Sequence, residues 1–148
     1  MKTHSAKPQD VTRVWHIIDA RDRSIGRVSV AAAQLLMGKN KSDFTPHVDG
    51  GDFVIITNAS ALKITGDKLN SKMYYRHSGY PSGLTTTSLS QLLGSHPSKV
   101  ITTAVKGMLP ANKLRADRLK RLKVYADDQH THQAQNPIIF HLGNQESK

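Results

Sequence analysis

Residues 99–125 read KVITTAVKGMLPANKLRADRLKRLKVY, and the fold turns on how this stretch divides. Ile101, Ala104, Val105 and Met108 recur at i, i+3, i+4 and i+7, the spacing of one helical face, and predict a helix with that stripe buried. Pro97 suits its first turn, where a missing N–H is no loss. Pro110 stops it near Leu109. Beyond Pro110 the character changes. Lys113, Arg115, Arg118, Lys120, Arg121 and Lys123 crowd into one segment in which Asp117 is the only acid. Leu114, Leu119 and Leu122 are too few for burial all round. The stretch therefore reads as a core helix joined to a cationic surface, ending in the strand-like tip Lys123–Ala126.

Working outward, Ser88–Leu93 is a short helix candidate ending at Gly94. Residues 72–83 (KMYYRHSGYPSG) read as a short extended piece followed by a shaped loop. Residues 52–57 (DFVIIT) are apolar without alternation, which suits a central strand covered on both faces. Residues 61–65 (ALKIT) form a second short strand candidate. Trp15–Asp19 predicts a strand with Trp15 as the largest apolar anchor. Ser24 caps a helix whose stripe is Ile25, Val28, Ala32, Leu35 and Leu36, stopped by Gly38; Arg27 rules out a reciprocal capping box. Strands alternating with helices make this an α/β fold with helices on the sheet. Residues 1–14 read as an extended arm, 15–126 as the domain, and 127–148 as a tail that packs on the body.

The chain has 148 residues, no cysteine and a formal charge of +10. That size suits one domain with a real core. Disulfides, thiol nucleophiles and cysteine zinc sites are excluded. No apolar run is long enough for a membrane span, and the N-terminus lacks the apolar stretch of a secretory signal. Residues 68–126 hold eleven of the 21 Lys and Arg but one of the 11 acids, so this segment carries the whole net charge. Such asymmetry favours a polyanionic partner.

Enzymatic readings find little support. The turn after the first strand, RDRSIGR, has one glycine, where a dinucleotide fold needs several. Glu146 is the only glutamate. Asp49 and Asp52 are close in sequence, but a glycine-rich turn explains them as well as catalysis does. His130, His132 and His141 have no cysteine or nearby acid to complete a metal site. No metal, cofactor or small-molecule substrate is expected.

A nucleic-acid reading draws on more of the chain. Arg115 and Arg118 share a helical face, as do Arg118 and Arg121, and Lys113, Lys120 and Lys123 widen the patch. Arginine forks suit phosphate. Lys72, Tyr74, Tyr75, Arg76, His77 and Tyr80 offer stacking and polar contacts, although period-2 spacing should bury one of Tyr74 and Tyr75. Lys39 and Lys41 form a smaller basic loop, and His47 beside Pro46 reads as a loop-fixing residue.

The motifs WHIIDA (15–20), IGR (25–27), GKNK (38–41), FTPHVD (44–49), ITGDK (64–68), YYRHSG (74–79), AVKGMLP (104–110) and LKVYA (122–126) together resemble the ribosomal protein L13 family of bacterial or organellar type. The likeness runs along nearly the whole chain. It implies an α/β fold with a small, mainly parallel central sheet covered by helices, in a structural protein of the large ribosomal subunit that binds the large-subunit rRNA and assists early assembly. Neighbouring large-subunit proteins would be further partners, and the location would be the cytoplasm, in the ribosome, or an organellar stroma or matrix. Lys39, Lys41, His47, Arg76, His77, Lys106 and Lys123 would fall in or near RNA-facing segments. The alternatives are a non-ribosomal RNA-binding regulator and a small α/β enzyme. One departure has a structural consequence. Leu114-Arg115-Ala116 stands where the family commonly has Leu-Gly-Arg, and a left-handed backbone there would strain Arg115 by about 1–2 kcal/mol.

Overall fold

In the computed structural model, which describes residues 5–143, Trp15–Asp19 forms strand β1 and Ile25–Met37 forms helix α1. Phe53–Thr57 then returns as β2, parallel to β1 with Trp15 opposite Phe53 and Asp19 opposite Thr57. The strand–helix–strand unit arises because Val28, Ala32, Leu35 and Leu36 face one way on α1 and bury against Ile18, Val54 and Ile56. Ser24 occupies the N-cap in extended geometry without a side-chain cap bond. Gly38 ends the helix in the left-handed conformation, φ 76°, and its N–H returns to Gln34 and Leu35.

Lys68–Ser71 (α2) leads into the antiparallel hairpin Met73–His77 (β3) and Leu84–Ser88 (β4). The loop expected at 78–83 is the tip of this hairpin, and Thr85, Thr86 and Thr87 supply the second strand. Leu89–Ser95 (α3) follows, capped by Ser88 and Gln91 in a reciprocal capping box, and it runs through Gly94 rather than stopping there. Pro97–Met108 (α4) is the helix predicted between the two prolines. Its buried residues are Val100, Ile101 and Val105, followed by Leu109 just past its end. Met108, expected in the stripe, is 40 % exposed.

Arg115–Lys120 (α5) and Leu122–Val124 (β5) complete the stretch from which the reading began, and Ile138–Ile139 (β6) ends the sheet. Strand order is β5-β2-β1-β6, all parallel. β2 is central, and Val54, Ile55 and Ile56 are each fully buried, as a strand covered on both faces requires. α1 and α4 share one apolar cluster with Ile18, Val54, Ile56 and Leu122. Trp15 stacks on Phe53 at 4.3 Å between ring centres, and His132 covers Trp15 at 4.9 Å. Residues 61–65 are not a strand. Residues 59–61 make a 3-10 turn, and Lys63 forms only an isolated bridge to Ser24. Glu146 and the other residues of 1–4 and 144–148 lie outside the described residues.

Candidate nucleic-acid interface

The cationic strip of 113–123 mostly does not face outward. Arg118 is 2 % exposed and Arg121 is 6 % exposed. Both reach Asp49 in the loop between α1 and β2. Arg121 donates from Nη2 to Asp49 Oδ1 at 2.7 Å and from Nη1 to Oδ2, while Arg118 Nε lies 3.4 Å from Oδ1. The same Arg121 fork reaches the Leu36 carbonyl at 3.1 Å, which places a cation at the negative end of α1. Burial by itself would raise the Asp49 carboxyl, but the bonds and charge of Arg121, then of Arg118, outweigh it and hold its pKa below the ordinary carboxylate value. Arg118 and Arg121 were expected to meet phosphate. Their side chains instead clasp Asp49, since it is the two arginines that are buried here and a buried guanidinium needs a carboxylate partner.

A buried acid, Asp52, claims another candidate. Asp52, 1 % exposed, accepts from Lys41 Nζ at 2.6 Å and from the Val14 N–H at 3.0 Å, with His16 Nε2 at 3.2 Å. Lys41 also donates to the carbonyls of Thr12 and Gly50. Lys120 pairs with Asp117 at the surface. Arg115 donates to the Pro110 and Leu109 carbonyls at 3.0 and 3.1 Å. Its backbone opens α5 and is absent from the positive-φ residues, so the strain conditional on a left-handed conformation does not arise.

Apart from Lys113 and Lys120, the outward cations lie elsewhere. On the hairpin, Tyr74 turns inward against Leu89, Leu92 and Val100, and burial raises its phenol pKa. Its neighbour Tyr75 points out at 69 % exposure, as the two-residue period requires. The β3–β4 register aligns Met73, Tyr75 and His77 with Ser88, Thr86 and Leu84 on one face, exposed except at the half-buried Ser88. Tyr80 at the tip is 76 % exposed. Lys72 Nζ sits 5.7 Å from the Tyr74 ring centre, and the His77 ring accepts the Gly79 N–H at 2.9 Å. Arg76, Lys106 and Lys113 are exposed, as are Lys39 and His47 in the separate loop after α1, while Lys123 is half-buried on β5.

These residues share the charge asymmetry already visible in the sequence. From Lys68 to Ala116 the chain has seven Lys and Arg and no acid. The hairpin, α3 and α4 built from this segment meet around Leu89, Leu92 and Val100. The acid-free segment is thus one folded unit, and its exposed side chains are available to a polyanion. Asp49 and Asp52 are committed to ion pairs. His130 and His132 lie beside Tyr125, and among the described residues no group of three or more His, Cys, Asp or Glu comes together. Among the described residues no helix is long and apolar enough to cross a membrane.

A family model described as Ribosomal protein L13 matches residues 13–131. The chain is 55 % identical over 137 residues to the large ribosomal subunit protein uL13 of Kocuria rhizophila, covering 93 % of each chain. It is 53 % identical over 142 residues to that of Syntrophomonas wolfei, covering 96 % of this chain and 99 % of the relative. With the protein of the same name from Hahella chejuensis it shares 52 % identity over 138 residues, 93 % of this chain and 97 % of the relative.

Proposed function

Because the chain belongs to the ribosomal protein L13 family, we propose that it is a structural component of the large ribosomal subunit whose acid-free unit, residues 68–116, binds large-subunit rRNA. The observation that carries the RNA assignment is the exposure of Lys72, Tyr75, Arg76, His77, Lys106 and Lys113 on a unit without a single carboxylate side chain. Lys and Arg neutralise phosphates and release counterions. Tyr75 and Tyr80 offer faces on which unpaired bases stack. Lys39 and His47 add a second contact from the loop after α1, and Lys123 a third from the sheet.

The division of labour follows from burial. Arg118, Arg121 and Lys41 hold the loop of 39–51 in place, so Lys39 and His47 are presented from a tethered loop. The role is structural rather than catalytic: RNA segments are brought together by charge neutralisation and fixed in relative position by the fold, the action needed early in subunit assembly. Neighbouring large-subunit proteins are its other partners, and its place is the cytoplasm, within the ribosome. Sedimentation of the tagged full chain tests this. Co-migration with free large subunits and with their precursors is expected, and a chain found only in the soluble pool would favour a non-ribosomal regulator.

A further inference from the structure

Gly107 is a glycine that the domain itself does not need. It lies in the last turn of α4, where glycine costs up to about 1 kcal/mol relative to alanine. Its φ is not positive, so it is no left-handed cap. A Cβ built there would meet nothing within 4 Å, so no packing inside the domain requires its absence. Lys99, Thr103 and Gly107 stand at successive i+4 positions, with Lys106 alongside, and all four are exposed. Ile101 and Val105 lie across the helix and are buried, and Val100, two turns before Gly107 on its own side, is buried where α3 covers the start of α4. Among the described residues neither Lys99 nor Lys106 takes part in an ion pair. Pro110 has no N–H to give to the Lys106 carbonyl four residues earlier, which leaves an acceptor open beside the bare position.

We infer that this face of α4 is a seat for the ribose–phosphate edge of an rRNA helix, with Gly107 as the point of closest approach. The inference rests on the proposed rRNA-binding role and assigns it a place. Two ammonium groups with no ion-pair partner among the described residues match phosphates. The Thr103 hydroxyl and the open Lys106 carbonyl match ribose hydroxyls, which act as both donor and acceptor along the shallow groove of A-form RNA. At Gly107 a sugar can rest against the helix backbone, and a methyl group there would hold it off.

Gly107→Ala in the full chain tests the seat, with Gly94→Ala as the matched control. Gly94 lies in α3, is equally open to a Cβ, and has no Lys or Arg in its helix. The probe is deproteinised large-subunit rRNA at fixed salt, with thermal unfolding of each variant alongside. The expected result is about tenfold weaker binding for Gly107→Ala without a lower melting temperature, and unchanged binding for Gly94→Ala. Binding of Gly107→Ala within twofold of the parent would overturn the seat, while loss of salt-dependent binding by the parent itself would instead overturn the proposed function. Thr103→Cys gives a single thiol in a chain that has none, and an iron chelate attached there should cleave rRNA in the assembled subunit. No cleavage, or a cross-link from the same thiol to a protein neighbour, would overturn the seat even if Gly107→Ala proved unstable.

Discussion

Arg121 holds Asp49 with both terminal nitrogens of its guanidinium while one of them also grips the Leu36 carbonyl at 3.1 Å. One side chain thus joins the start of β5, the loop before β2 and the end of α1. Removing it leaves Asp49, in a mostly buried place, with only the longer Arg118 contact. Arg121→Met should therefore cost about 3–5 kcal/mol in urea unfolding. Asp49→Asn combined with Arg121→Met should cost less than the sum of the two single changes, because each partner's loss exposes the same defect. A surface cation would show neither effect.

Acid should attack the same clasp. The Asp49 pKa is depressed in the folded state, so its contribution is present above the ordinary carboxylate value of 3.8 and is lost as pH falls through the folded value. Melting temperature should fall as pH drops below about 4, and Asp49→Asn should flatten that part of the profile while lowering stability at neutral pH. Asp19 is depressed too: burial would raise it, but the Arg21 N–H, the Asn58 side chain and the charges of Arg21 and Arg23 prevail. Some acid sensitivity should therefore survive in the variant.

Gly51 answers to packing. A Cβ there would lie 1.8 Å from the Leu36 carbonyl oxygen and 3.1 Å from Arg121 Nη2. Backbone on one side and the clasp on the other leave it nowhere to go. Gly51→Ala should destabilise by more than about 3 kcal/mol or prevent folding, read by circular dichroism and urea titration. Gly50→Ala, one residue away, meets nothing within 4 Å and should be mild.

Much of this architecture was legible in the residues. The apolar stripe of α1 with its glycine stop, the unbroken run of β2, and the proline-bounded α4 each follow from periodicity and backbone chemistry. Two features were not. The threonine-rich β4 carries no apolar alternation, and it is a strand because its partner β3 is anchored to the core through Tyr74. The inward turn of Arg118 and Arg121 depends on Asp49, about seventy positions away, and no local pattern reveals that a carboxylate so distant will be buried against them. The signal that survives is negative: between Asp67 and Asp117 there is no acid, so cations of that segment have no near carboxylate to claim them.

The hairpin should separate binding from folding. Tyr75→Ala and Tyr80→Ala remove rings that are mostly in solvent, so each should change stability by no more than about 0.5 kcal/mol. Each ring that stacks on a base should cost about 1–3 kcal/mol of affinity when removed. Titration of the variants with large-subunit rRNA, beside their urea curves, checks both numbers.

The central claim is that rRNA is held by the outward cations of residues 68–116 and not by the buried arginines of the clasp. Its most direct test is the salt dependence of rRNA binding by Lys72→Gln/Arg76→Gln/Lys106→Gln against the parent chain. The variant should fold normally, bind more weakly, and lose about 0.7–0.9 from the slope of log K against log salt for each phosphate contact removed. An unchanged slope and affinity in a folded variant would contradict the account.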